Sequence, residues 1–222
     1  MANTARGRLI DLSHDITEGM VTYKGLPGPH ICDYWSREAS AANYDDGASF
    51  QIGRIDMVAN TGTYLDTPFH RFAAGDDLAG VGIERVAGLP GVVVTSSEMA
   101  IDVAAFAGVD VAGKAVLVAT GWDRHWGSDT YFDDHPFLTE AAARSLAERG
   151  AALVGIDSHN IDDTRGRTRP VHTVLLGAGI PICEHLTRLE TLPPTDFRFT
   201  AAPPKIVGMG TFAVRAFAEL AV

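Results

Sequence analysis

Asn60-Thr61-Gly62-Thr63-Tyr64-Leu65-Asp66-Thr67-Pro68-Phe69-His70 is the stretch from which the rest of the chain is read. Asn60, Gly62, Tyr64 and Asp66 fall at every second position, so an extended segment places them on one face. A straight strand rising about 3.3 Å per residue would hold Asn60 and Asp66 roughly 20 Å apart, too far to meet around one small molecule. Gly62 and Pro68 permit or impose bends. His70, just past Pro68, can then be aimed back at the polar face. Polar groups that converge on a bend describe a site rather than a core.

The segment resembles the signature His-x-Gly-Thr-His-x-Asp-x-Pro-x-His of the putative cyclase family, which includes bacterial kynurenine formamidases and isatin hydrolases. Gly62, Thr63, Asp66, Pro68 and His70 match it. Asn60 and Tyr64 stand where that pattern has histidines. The likeness continues in Asp11-Leu12-Ser13-His14, Thr120-Gly121-Trp122, Gly155-Ile156-Asp157-Ser158 and the segment from His172 to Glu184. It implies an α/β fold, a compact single domain over 1–222 with a central, mostly antiparallel, barrel-like sheet flanked by helices. It also implies a homodimer or higher homo-oligomer, and an arylformamidase-like hydrolase of a small cyclic or aryl amide or lactone.

Composition bounds the remaining classes. A chain of 222 residues with 46% hydrophobic and 21% charged residues has the make-up of an ordinary globular domain. The net charge of −10 argues against nucleic-acid and anionic-membrane partners, which need clustered Lys and Arg. Arg6 and Arg8 are followed by no apolar leader core, and no apolar run reaches the roughly 20 residues that span a bilayer, so a cytoplasmic protein is expected. Cys32 and Cys183 are expected as free thiols, Cys183 buried in the run Ile180-Pro181-Ile182-Cys183. No Walker loop and no Gly-x-Gly-x-x-Gly after a strand is present, which leaves no nucleotide cofactor among the expectations, and no Gly-x-Ser-x-Gly elbow signals a serine hydrolase.

Local pattern predicts strands over Arg8 to Leu12, Phe50 to Val58, Gly91 to Thr95, Ala115 to Ala119, Ala152 to Ile156, Phe197 to Thr200 and Thr211 to Phe217. The Phe50 to Val58 strand is expected to lead straight into the motif. The Gly- and Pro-rich stretch Gly25 to Pro29 reads as a surface loop. Thr139 to Arg149 reads as a helix stopped by Gly150, and Pro170 opens a second helix running to about Leu176.

His70 is the expected proton-transfer residue, since an imidazole takes and returns protons near neutral pH. Asp66 can bind a divalent cation, orient His70 or cap a turn. The resemblance implies that His172 and Glu184 complete a metal set with Asp66, and a nitrogen-plus-carboxylate set suits Zn²⁺ or Mn²⁺. Asn60 and Tyr64 admit another reading, in which their hydrogen bonds polarise a substrate carbonyl without metal and Tyr64 serves as acid. That reading makes the protein a metal-independent cyclase, lyase or isomerase, or a non-catalytic small-molecule binder. Trp122 is either an aromatic wall for a flat substrate or a loop anchor, and His159 either lines the pocket or faces solvent.

Overall fold

The computed structural model describes residues 7–221. Met1 to Arg6 and Val222 lie outside the described residues, so of the N-terminal segment read above only Gly7 and Arg8 are seen. In chain order the strands are β1 Leu9–Asp11, β2 His30–Trp35, β3 Ile52–Asp56, β4 Tyr64–Asp66, β5 Leu89–Thr95, β6 Ala100–Ile101 and β7 Ala115–Ala119. They continue with β8 Phe137–Leu138, β9 Leu153–Ile156, β10 Ile182–Glu184, β11 Phe197–Thr200, β12 Thr211–Ala213 and β13 Phe217–Leu220. The α-helices are α1 Arg37–Ala41, α2 Glu140–Glu148 and α3 Pro170–Gly177.

Nine strands form one sheet in the order β1-β13-β11-β5-β7-β9-β10-β4-β12. Its middle, β5-β7-β9-β10, is parallel, and both flanks are antiparallel. Antiparallel neighbours predominate, as the resemblance implied. The Val-rich runs sit in the parallel middle because both faces are covered there. Val116 and Val118 of β7 pack into one core with α2 and α3, while Ala115, Leu117 and Ala119 enter the other with Phe197 and Phe199.

Thr211 to Phe217 is not the one strand that its pattern suggests. It splits into β12 at one edge and β13 beside the other edge, with only Val214 to Ala216 between them. Seven strand spacings of a flat sheet would separate these strands by roughly 34 Å. The link can cover only about 14 Å. The sheet therefore curls until its ends approach, a half-barrel.

Thr139 caps α2, its hydroxyl accepting the Ala142 N–H at 3.1 Å, and Gly150 ends it at φ 77°. Pro170 opens α3 as expected, and Asp162 caps it from outside by accepting the N–H groups of Val171 (2.8 Å) and His172 (3.0 Å). The strand read over Phe50 to Val58 is found as β3, yet it does not join the sheet. It pairs with β2 as a separate two-stranded arm, exposed along its whole length. Cys32 and Cys183 are free thiols, Cys183 buried. No helix among the described residues is long and apolar enough to cross a membrane.

Candidate active site

Strand register assembles the site. In β4, Tyr64 and Asp66 face the same way, and Gly62, left-handed at φ 68°, turns the chain just before them. Glu184 of β10 lies directly opposite Tyr64, and Thr211 of β12 directly opposite Asp66. Each opposed pair is bonded: the Tyr64 hydroxyl donates to Glu184 Oε2 and the Thr211 hydroxyl to Asp66 Oδ1. Pro68 starts a single 3-10 turn that ends at His70 and returns its ring to the same place. There His70 Nδ1 stands 2.7 Å from Thr211 Oγ1 and 3.6 Å from Asp66 Oδ1. The Thr211 proton is already directed at Asp66, so His70 Nδ1 is the donor to Thr211 and Nε2 keeps the lone pair.

The third wall is α3. His172, in its first turn, has Nδ1 held 2.6 Å from Asp162 Oδ2, which leaves Nε2 facing Asp66 Oδ2 at 3.5 Å and Glu184 Oε1 at 3.8 Å. Asp66, His70 and His172 each offer a ligand atom within 4.8 Å of the others. Glu184 Oε1 also accepts the Ile161 N–H at 2.6 Å. Asp66 Oδ2 is buried and has no hydrogen-bond partner. A cavity of about 830 Å³ opens over the cluster, lined by Tyr23, Asn60, Tyr64, His70, His172 and Glu184 among others.

Buried charges shape the electrostatics. Burial pushes Glu184 up to about 7, Asp66 adding to the shift and His172 opposing it. Burial alone would lower His172, but Glu184, Asp162 and Asp66 outweigh it and raise the ring to about 10. Burial and then the Glu184 charge lift the Tyr64 phenol well above its usual range, so it stays a neutral donor. His159 is buried on the cavity wall and lowered to about 3 by burial, the charges of His135 and Lys24 adding to the shift, which keeps it neutral.

The residues expected from sequence are not all brought together in the expected roles. Asp66, His70, His172 and Glu184 converge, and Asn60 lines the cavity. Tyr64 reaches the centre, but its hydroxyl is committed to Glu184 and lies 2.6 Å from the Tyr23 hydroxyl, a holding position rather than that of a general acid. Trp122 is outside the residues lining this cavity; its indole N–H donates to the Tyr131 carbonyl at 3.1 Å, which makes it the loop anchor. Trp126 stacks on His14 at 3.9 Å beside a separate cavity.

Five contributors are missing from the sequence reading. Leu26 belongs to the stretch Gly25 to Pro29 read as a surface loop, and Tyr23 and Lys24 lead into it, yet all three line the cavity; Tyr23 bonds Tyr64 and accepts from Asn160 Nδ2 at 3.0 Å. Thr211 and Asp162 meet His70 and His172 across 141 and 10 residues. No local spacing signals the Thr211 contact. Asp162 stands well before the helix N-cap, Arg169, so no capping spacing signals it either.

The pattern of the Putative cyclase family matches residues 10–163. The kynurenine formamidase of Geobacillus thermodenitrificans is 28% identical over 209 residues, 93% of this chain and 95% of that protein. The kynurenine formamidase of Salinibacter ruber is 26% identical over 210 residues, 94% of this chain and 95% of its own. A solved structure described as a potential metal-dependent hydrolase with cyclase activity superposes with a TM-score of 0.77 at 27% identity, covering 95% of this chain and 96% of its own. Isatin hydrolase A from Labrenzia aggregata shares the fold with a TM-score of 0.81 at 23% identity, over 96% of this chain and 93% of that one. With more than half of its length matched, the polar bend, the curled sheet and the His–carboxylate cluster are those of a protein that belongs to the Putative cyclase family.

Proposed function

We propose that the protein hydrolyses a small aryl or cyclic amide, as the kynurenine formamidases and isatin hydrolases it resembles are named for, and that it works with one divalent ion, Zn²⁺ or Mn²⁺, held by Asp66, His172 and Glu184. One observation carries this reading: the buried Asp66 Oδ2 has no donor and faces His172 Nε2 at 3.5 Å, with Glu184 Oε1 3.8 Å from the same nitrogen. Two buried carboxylates need a cation between them: in the metal-free protein the raised His172 ring supplies it as an imidazolium, and a divalent ion takes that place by displacing the proton. Two oxygens and one nitrogen are the donor set that Zn²⁺ and Mn²⁺ accept. Asp162 on His172 Nδ1 is the orienting carboxylate that metal-binding histidines usually have.

A divalent ion in this place supplies Lewis acidity and lowers the pKa of water towards about 7. The chain's own residues do the rest. His70 Nε2 takes a proton from the attacking water and returns it to the leaving nitrogen, so the amide C–N bond breaks as the new C–O bond forms. Thr211 holds the tautomer that this requires. Asn60, on the cavity wall, is free to donate to the substrate carbonyl.

Metal analysis of protein purified without chelators should give one ion per chain, and His172→Ala should lose it. His70→Ala should keep the ion and the fold while kcat falls by about 10²–10⁴-fold on an aryl formamide. Loss of the ion in His70→Ala would make His70 a ligand instead of the base. Full activity in chelated, metal-free protein would overturn the hydrolytic mechanism.

A further inference from the structure

The cavity over the His–carboxylate cluster is graded from floor to mouth. At its floor Tyr64, His172 and Glu184 are each no more than 5% exposed. Its wall is aromatic: the Tyr23 and His159 rings lie 4.7 Å apart, and the Phe132 and His159 rings meet edge to face at 5.3 Å. With His159 neutral, this wall suits a flat, uncharged ring. The mouth is exposed and basic. Lys24, Arg71, Arg144 and Arg167 stand there, with the half-buried Arg169 beside them. The chain as a whole carries a net charge of −10, so this concentration of cations runs against its overall balance.

What each cation already holds separates the structural ones from the rest. Arg144 is paired with Glu140. Arg169 donates through Nη1 to the carbonyls of Asp163 (3.3 Å), Gly166 (3.0 Å) and Thr168 (2.7 Å), which ties down the chain before α3. Arg71, next after His70, gives Nε to Thr173 Oγ1 at 3.2 Å and keeps both Nη groups for other partners. The Lys24 ammonium lies over the Phe132 ring at 5.3 Å. Among the described residues no salt bridge involves Lys24, Arg71 or Arg167. The carboxylates that line the cavity are Glu140, engaged by Arg144, and Glu184, engaged in the cluster. The mouth therefore offers cations to an anion and no carboxylate to an ammonium group.

We propose that the substrate carries a carboxylate, and no ammonium, at the end remote from its scissile amide, and that Lys24, Arg71 and Arg167 bind that carboxylate while the aromatic wall holds the ring. The inference rests on the hydrolytic reading above and narrows it to acidic aryl amides. An α-amino-acid tail would set its ammonium beside these cations with no acid to receive it. A neutral tail would leave the cations without a partner. Arg71 and Arg167 present planar donor forks that fit a carboxylate, and Lys24 adds a point charge. A cluster of one sign at a cleft also raises the rate at which ions of the other sign arrive.

Formanilides that differ only in the para tail test this: one with a propanoate, one with a neutral propyl group, and para-formamidophenylalanine, which adds an ammonium to the propanoate. The propanoate should exceed both others in kcat/KM by about tenfold or more. Added salt should shrink that advantage. Arg167→Gln with Lys24→Gln should bring the propanoate down towards the propyl compound, mainly through KM. Arg165→Gln is the control, because that guanidinium is held by Asp163 and does not line the cavity, and it should leave the ratio as it is. Calorimetric binding of the corresponding arylamines, which have no amide to break, reads the same preference without turnover. Preferential binding of the carboxylate arylamine with no formanilide hydrolysed would overturn the hydrolytic reading and support the anion site. No preference for the carboxylate in either measurement overturns the anion site, as does a preference that survives the double variant.

Discussion

Tyr64 shows how a residue's meaning is set by what lies across from it. In sequence it is a phenol in place of a histidine, open to use as an acid. In the fold it is 1% exposed, opposed in register to Glu184 and bonded to that carboxylate and to Tyr23. Tyr64→Phe removes only the hydroxyl and leaves Glu184 Oε2 with the longer contact from Tyr23 at 3.4 Å. Loss of a donor to a buried carboxylate typically costs about 1–3 kcal/mol. Loosening a ligand's outer support typically weakens metal affinity by about 10- to 100-fold. Calorimetric titration with Zn²⁺ and urea unfolding measure the two effects, and an unchanged metal affinity would show that Glu184 does not depend on Tyr64. Asp66 and His70 were readable as candidate site residues because the motif marks them locally, and His172 and Glu184 only because their segment resembles the family's. Thr211 and Tyr23 were not, because their roles exist only through contacts with strands and loops distant in sequence.

At the scale of elements, the turn that carries His70 is pinned from the far side by Gly210. The Gly210 carbonyl accepts the Thr67 N–H at 2.7 Å and the Thr67 hydroxyl at 3.1 Å. A Cβ on Gly210 would stand 2.2 Å from the His70 nitrogen and 2.5 Å from its Cα. Backbone atoms cannot yield as a flexible side chain does, so the Pro68–His70 turn must move. Gly210→Ala is therefore expected to cost about 1–3 kcal/mol of stability and to reduce turnover more than substrate affinity, since a displaced base harms proton transfer first. Gly53→Ala is the control: nothing lies within 4 Å of its Cβ, and it should leave turnover unchanged. Wild-type kinetics in Gly210→Ala would mean that the turn adjusts without moving the imidazole.

For the whole molecule, the site makes stability depend on pH. Glu184 rises from 4.5 to about 7 on folding and His172 from 6.5 to about 10. The metal-free fold thus binds protons that the unfolded chain has released, on Glu184 between those two values and on His172 between its own. The stability tied to each group is complete below its unfolded pKa and is lost as pH rises through its folded one. A divalent ion at the same atoms replaces the protons, so metal and protons compete. Below about pH 6.5 the burial of His14, His135, His159 and His185, which lowers all four, acts in the opposite sense. Chelated protein should therefore lose stability to urea from about pH 6.5 to about pH 10, while the stabilisation on adding Zn²⁺ should grow from about pH 5 to about pH 10. A metal effect independent of pH would place the ion away from Glu184 and His172.

Local chemistry was sufficient for what is local. The strands over Ala115–Ala119 and Leu153–Ile156, the capped helix Glu140–Glu148, the Pro-started helix at 170 and the bend at Gly62 and Pro68 follow from apolar runs, capping residues and backbone-restricted residues, each legible within a short window. Asp66 and His70 stand in the motif itself, whereas His172 and Glu184 were legible only through the family resemblance of the segment that holds them. Tertiary structure alone decided the rest. That Thr211 to Phe217 breaks into strands at opposite ends of the sheet order is a consequence of the curl, which brings the ends together and which no single strand encodes. That Ile52–Asp56 leaves the sheet as an exposed arm turns on its pairing with His30–Trp35, since period-two alternation says that a strand forms and nothing about its partner. Burial drew the last distinction: Asp66 Oδ2 stands out as a candidate ligand atom only because the fold leaves it buried without a hydrogen-bond partner.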